Sequence, residues 1–164
     1  MPDVNWKLEH MVQPPELRSE EYQLWSRGRG VDVWAMLRAS IAGDLATIKR
    51  LVDAESGLVN CEYEYFKPIR FAVRENHRDL AAFLFEKGAD PAFNAGDPLS
   101  TIARDRGFVE LAEYIEGILK DRHHVVPEAK QVVEAIKARD IDRVRELIDK
   151  QPDLVHAADE YGSL

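Results

Sequence analysis

The sequence predicts an all-α fold assembled from four helix–turn–helix units, and three observations carry that prediction. A small residue, a turn residue and a large aliphatic recur in fixed register as Ala39-Gly43-Leu51, Ala72-Asn76-Leu84, Ala103-Gly107-Ile115 and Ala135-Arg139-Leu147. The alanines stand 33, 31 and 32 residues apart, a near-constant period under divergent sequence that marks a repeat array. Within a unit the apolar spacing is helical twice: Val33, Leu37 and Ile41 repeat, Gly43-Asp44 interrupts them, and Leu45, Ile48, Leu51 and Val52 resume.

The fourth unit follows the same scheme, with Val132, Val133 and Ile136 on one helix and Ile141, Val144, Leu147 and Ile148 on the next across Arg139-Asp140. Asp44, Asp79 and Asp140 fall at or just before second-helix starts, where a short carboxylate accepts backbone N–H bonds and complements the helix dipole. Gly88 follows Lys87 as a C′ glycine after a cation. Units one and four also agree at an offset of 96, pairing Leu58 with Leu154, Val59 with Val155, Asn60 with His156 and Tyr65 with Tyr161. The likeness thus extends into the loops.

Composition permits a core: of 164 residues, 45% are apolar and 32% charged, outside the range of disordered chains. No stretch has the uncharged apolar length of a spanning helix, and MPDVNWKLEH lacks the pattern of a signal peptide. A soluble, cytoplasmic protein is expected. The single cysteine, Cys61, excludes an internal disulfide framework and a cysteine zinc cage. A net charge of -8 has the wrong sign for a phosphate backbone or an anionic membrane, so neither nucleic acid nor membrane is an expected partner.

These residues resemble the ankyrin repeat, whose period is about 33 residues. Leu84-Phe85-Glu86-Lys87-Gly88-Ala89-Asp90-Pro91 looks like the segment that ends the family's second helix and enters its loop, and Lys67-Pro68-Ile69-Arg70-Phe71-Ala72 and Asp97-Pro98-Leu99 resemble its helix-opening motif. The resemblance covers residues 32–164, with units at 32–66, 67–96, 97–127 and 128–164, the last followed by a truncated fifth. No unit retains the full opening motif, and unit three carries one extra residue between Pro98 and Gly107. The resemblance implies a solenoid of about four stacked repeats with small alanines at helix approaches and Leu51, Leu84, Ile115 and Leu147 filling the stack.

Residues 1–31 fall outside the repeat and are expected to cap unit one. A short helix from Glu16 to Ser26 would present Leu17, Leu24 and Trp25, with Trp6 and Trp25 packing rather than binding. Arg27-Gly28-Arg29-Gly30 is one isolated RGG-like copy and reads as a flexible loop. At the other end Leu164 aligns with Pro68, and Ile141, Val144 and Ile148 offer no polar capping face, so the natural chain is expected to continue.

No catalytic set has convincing spacing, and no cofactor or metal is expected. His123-His124 after Asp121 is the nearest approach to a metal site, and a helical enzyme built around it is one competing reading; a linker explains the pair better. Cys61 has no nearby histidine or basic helix end to lower its pKa and reads as a loop or partly buried structural residue.

The resemblance instead implies partner binding on a concave surface of loop tips and first helices. Carried over residue by residue, this gives Tyr63, Glu64 and Phe66 in the loop before unit two and Arg74 and Glu75 ending its first helix. Unit three adds Phe93, Arg104 and Asp105, and unit four Lys137 and Ala138. Tyr65 and Phe66 are also placed to pack the loop against its neighbour. The expected function is a monomeric, non-enzymatic module binding a protein or peptide. The alternative is the N-terminal scaffold of a longer multidomain protein whose activity lies beyond residue 164.

Overall fold

One turn geometry occurs four times. Gly43, Asn76, Gly107 and Arg139 all take positive φ, at 73°, 59°, 80° and 57°. In each case the next residue donates its N–H back to the anchor alanine: Asp44 to Ala39 at 2.9 Å, His77 to Ala72 at 2.8 Å, Phe108 to Ala103 at 2.8 Å and Asp140 to Ala135 at 2.9 Å. This six-to-one bond satisfies a carbonyl that the ending helix leaves open and reverses the chain into the second helix. All four alanines and all four aliphatic anchors are buried.

The computed structural model describes residues 4–91 and 96–159. Among them all regular structure is helical: α1 (Gly30–Ala42), α2 (Leu45–Ala54), α3 (Pro68–Arg74), α4 (Arg78–Glu86), α5 (Leu99–Asp105), α6 (Val109–His123), α7 (Ala129–Lys137) and α8 (Ile141–Lys150). No described helix is long and apolar enough to cross a membrane. Asp44 caps α2 by accepting the Thr47 N–H at 3.0 Å and its hydroxyl at 2.7 Å, and Asp140 caps α8 through the Arg143 N–H at 3.0 Å. Asp79 lies one step inside α4, where His77 holds the cap position. The chain divides into two units, Met1–Asp90 and Pro91–Leu164.

In the first unit α1 packs against α2 and α3, and α3 against α4, around a core that includes Val33, Leu37, Ile48, Ile69, Phe71 and Leu84. Polar ties hold the two helix pairs in register. His77 Nε2 lies 2.9 Å from the Ile41 carbonyl. The Asn60 amide donates to Gly88 O at 2.8 Å and accepts the Asp90 N–H at 3.1 Å.

The N-terminal segment packs on α1, but the helix expected from Glu16 to Ser26 is reduced to a single 3₁₀ turn at Pro15–Arg18. Local pairing displaces it: Ser19 Oγ accepts the Glu21 N–H, and Gln23 N donates to Gly28 O at 3.1 Å. Leu17 is fully buried, whereas Leu24 is fully exposed and does not pack. The Arg27–Gly30 stretch is a built turn rather than a loose linker. Gly28 sits at φ 93°, and a Cβ there would overlap Leu58 Cδ2.

In the second unit α5 packs on α6 and α7 on α8. The extra residue of unit three is absorbed at the helix start, since Pro98 is the N-cap of α5 whereas Pro68 is the first residue of α3. A second core joins Ala129, Val132, Ala135, Leu147, Leu154 and Ala157. The offset of 96 holds in backbone detail, because 3₁₀ turns at Ser56–Asn60 and Pro152–His156 close with equivalent hydrogen bonds. Their side chains diverge: Val59 is buried and Val155 exposed. Tyr161 lies outside the described residues. Ile136 and Ile141 are exposed and line an apolar groove between α7 and α8.

Candidate functional site

Tyr63 and Phe66 exchange backbone hydrogen bonds at 3.1 and 2.9 Å, closing a two-residue reversal over Glu64 and Tyr65. Both tip residues have left-handed φ, 51° and 66°, the pattern of a type I′ turn that normally selects Asn-Gly. Side chains at both positions cost about 1–2 kcal/mol each, strain that persists only where the surroundings over-determine it. The reversal sends alternate aromatics to opposite sides. Tyr63 is 7% exposed and Tyr65 66%.

Trp6 supplies those surroundings. Its ring lies 4.8 Å from Phe71, 5.3 Å from Phe66, 6.4 Å from Tyr63 and 6.5 Å from Trp34, centroid to centroid, within the range of favourable aromatic pairs. The Arg74 guanidinium sits 4.7 Å from the Phe71 ring and donates Nη2 to the Trp6 carbonyl at 2.8 Å and Nε to Glu75 at 2.6 Å.

The structure therefore gathers Tyr63, Phe66, Arg74 and Glu75, but around the chain's own N-terminal segment. Tyr63 is not an exposed loop contact, because packing against Trp6 and Trp25 leaves it buried. Glu64 is half-buried at the tip. In the second unit Arg104 forms a bidentate pair with Glu116, donating Nη2 at 2.8 Å and Nε at 3.1 Å, and Asp105, Lys137 and Ala138 are exposed. Phe93 lies outside the described residues.

Beside the tip is a cavity of about 330 Å³ lined by Glu16, Trp25, Glu62, Tyr63, Glu64 and Tyr65. Trp25 and Tyr63 meet edge to face, 5.6 Å apart at 61°. Burial raises the Tyr63 phenol pKa, and the neighbouring Glu16 and Glu64 raise it further. The sequence marks the 63–66 tract, but Tyr65, Trp25, Glu16 and Glu62 are not among the site residues it predicts. The aromatic-rich tract signals the tip; nothing in the local sequence brings Trp25 to it from nearly forty residues upstream.

The remaining chemical candidates lie elsewhere. Cys61 is fully buried, and that burial pushes its thiol pKa far above the ordinary value, which leaves it inert. His123 ends α6 and His124 caps it at φ 54°, both exposed. Among the described residues no three His, Cys, Asp or Glu side chains are grouped to hold a metal ion.

Comparison with protein-family models gives no match to this chain, and comparison with curated proteins gives none either.

Proposed function

We propose that this chain is a non-enzymatic binding module of the ankyrin-repeat type, which holds a partner protein or peptide at the Tyr63–Phe66 tip of its first unit. The observation that carries the reading is Tyr65: a large aromatic, 66% exposed, held outward on a strained turn. Aromatic residues so placed are enriched at interface hot spots. The surface of α1 and α3 beneath the tip is occupied by Trp6, so a partner meets Tyr65, Glu64 and Trp25 first. Four turns of one geometry and the buried alanine anchors support the solenoid.

A pull-down from native cell extract, comparing the intact protein with a Tyr65→Ala variant of unchanged melting temperature, tests the reading. Loss of a partner with the variant is expected; equal retention moves the site off the tip. The apolar groove at Ile136 and Ile141 favours a second reading, in which the chain is the N-terminal scaffold of a longer multidomain protein and further helices cover that groove. A reading frame that stops at Leu164 would contradict it.

A further inference from the structure

The cavity beside the tip has a chemistry more specific than a general interface. Trp25 and Tyr63 line it with rings steeply inclined to each other, and the exposed Tyr65 adds a third aromatic side chain. The other three lining residues are Glu16, Glu62 and Glu64, with no lysine or arginine among them. An anionic ligand would meet three carboxylates. A neutral one would leave the charge unused, in a chain already carrying -8.

Resting on the binding-module reading, we propose that this cavity receives an alkylated ammonium group, such as a trimethylated lysine side chain of a partner peptide. The aromatic quadrupoles attract a cation held against their faces. A bare ammonium is strongly hydrated and gives up water to aromatic carbon reluctantly, whereas methyl groups weaken that hydration without removing the charge. The carboxylates set the sign of the field and draw the cation in. Tyr65 forms the outer wall, which accounts for its exposure, and Trp25 and Tyr63 form the inner ones.

The test uses the full chain and calorimetric titration with a short neutral peptide carrying one trimethyllysine. Parallel titrations use the same peptide with unmodified lysine, with arginine and with the uncharged carbon isostere of trimethyllysine, and tetramethylammonium chloride alone. The trimethyllysine peptide is expected to bind about tenfold or more tighter than the isostere, and Tyr65→Ala to weaken it about three- to thirtyfold, the span of cation–π contacts from exposed to desolvated. Because Trp25→Ala also disturbs the N-terminal segment, Trp25→Phe serves as the second variant and is expected to retain part of the affinity. Tetramethylammonium binding as tightly as the peptide would identify a free small cation as the source of the same group. Equal binding of the isostere, tighter binding of the arginine peptide, or indifference to Tyr65→Ala would overturn the proposal. If no cation binds while Tyr65→Ala still loses a partner from extract, the cation assignment falls and the module reading stands.

Discussion

Arg74 donates a hydrogen bond of 2.8 Å from Nη2 to the backbone carbonyl of Trp6, joining residues 68 positions apart. The bond fixes the N-terminal segment over α3 while the Trp6 indole fills the space among Trp34, Phe66 and Phe71. The segment before the first repeat is thus part of the first unit's fold. It also determines which aromatics of the tip remain accessible.

Trp6→Ala removes the ring shared by four aromatic neighbours and is expected to destabilise the protein by about 2–4 kcal/mol. Leu24→Ala, at a fully exposed position of the same segment, should stay within about 0.5 kcal/mol. Urea unfolding of both variants checks the pair. Equal stabilities would remove Trp6 from the core.

Replacing Glu64-Tyr65 by Asn-Gly relieves two left-handed side-chain positions and is expected to raise stability by about 1–2 kcal/mol, seen as a Tm increase of several degrees. The same variant should lose partner binding, because it removes the exposed ring. Raised stability with binding intact would place the function elsewhere.

Asn60 holds the loop at Gly88 and Asp90 through two hydrogen bonds. Asn60→Ala leaves a backbone carbonyl and an N–H without these partners, and a loss of about 1–2 kcal/mol is expected in denaturant unfolding. Asn60→Asp keeps the acceptor and should recover part of the loss.

Acid should weaken the fold through specific carboxylates. Hydrogen bonds from the Thr47 N–H and hydroxyl hold Asp44 below its ordinary value of 3.8, and Lys150 and Arg143 pull Glu146 from 4.5 to about 2. With both groups depressed in the folded state, the unfolded chain takes up protons first as pH falls. Their stabilisation is present above about pH 5 and is lost progressively toward pH 2. Unfolding midpoints followed between these limits should fall, and Glu146→Gln should flatten the fall. The effect at exposed Glu146 should shrink with added salt.

The repeat register was readable because every turn needs the same two things, a small buried residue and a left-handed position. Asn76 and the two glycines suit that position, and Arg139 takes it through context. The offset of 96 between the segments at Ser56–Asn60 and Pro152–His156 was readable for the same reason, as 3₁₀ turns repeat with their hydrogen bonds. The N-terminal segment departs from its predicted helix because Leu17, Leu24 and Trp25 have the spacing of one helical face, whereas Gln23 pairs with Gly28 instead. The candidate site was legible as a tract but not as an orientation. Which of Tyr63, Tyr65 and Phe66 faces outward depends on a two-residue reversal that breaks the helical pattern and on a tryptophan more than fifty residues away.

The most direct measurement of the central claim is site-specific photo-crosslinking. A benzoylphenylalanine is placed at Tyr65 or, in a separate sample, at Arg145, an exposed position on α8. Irradiation in native extract is predicted to give a discrete adduct from position 65 and none from position 145. An adduct from position 145 alone, or a bound partner that never crosslinks at position 65, would contradict the account.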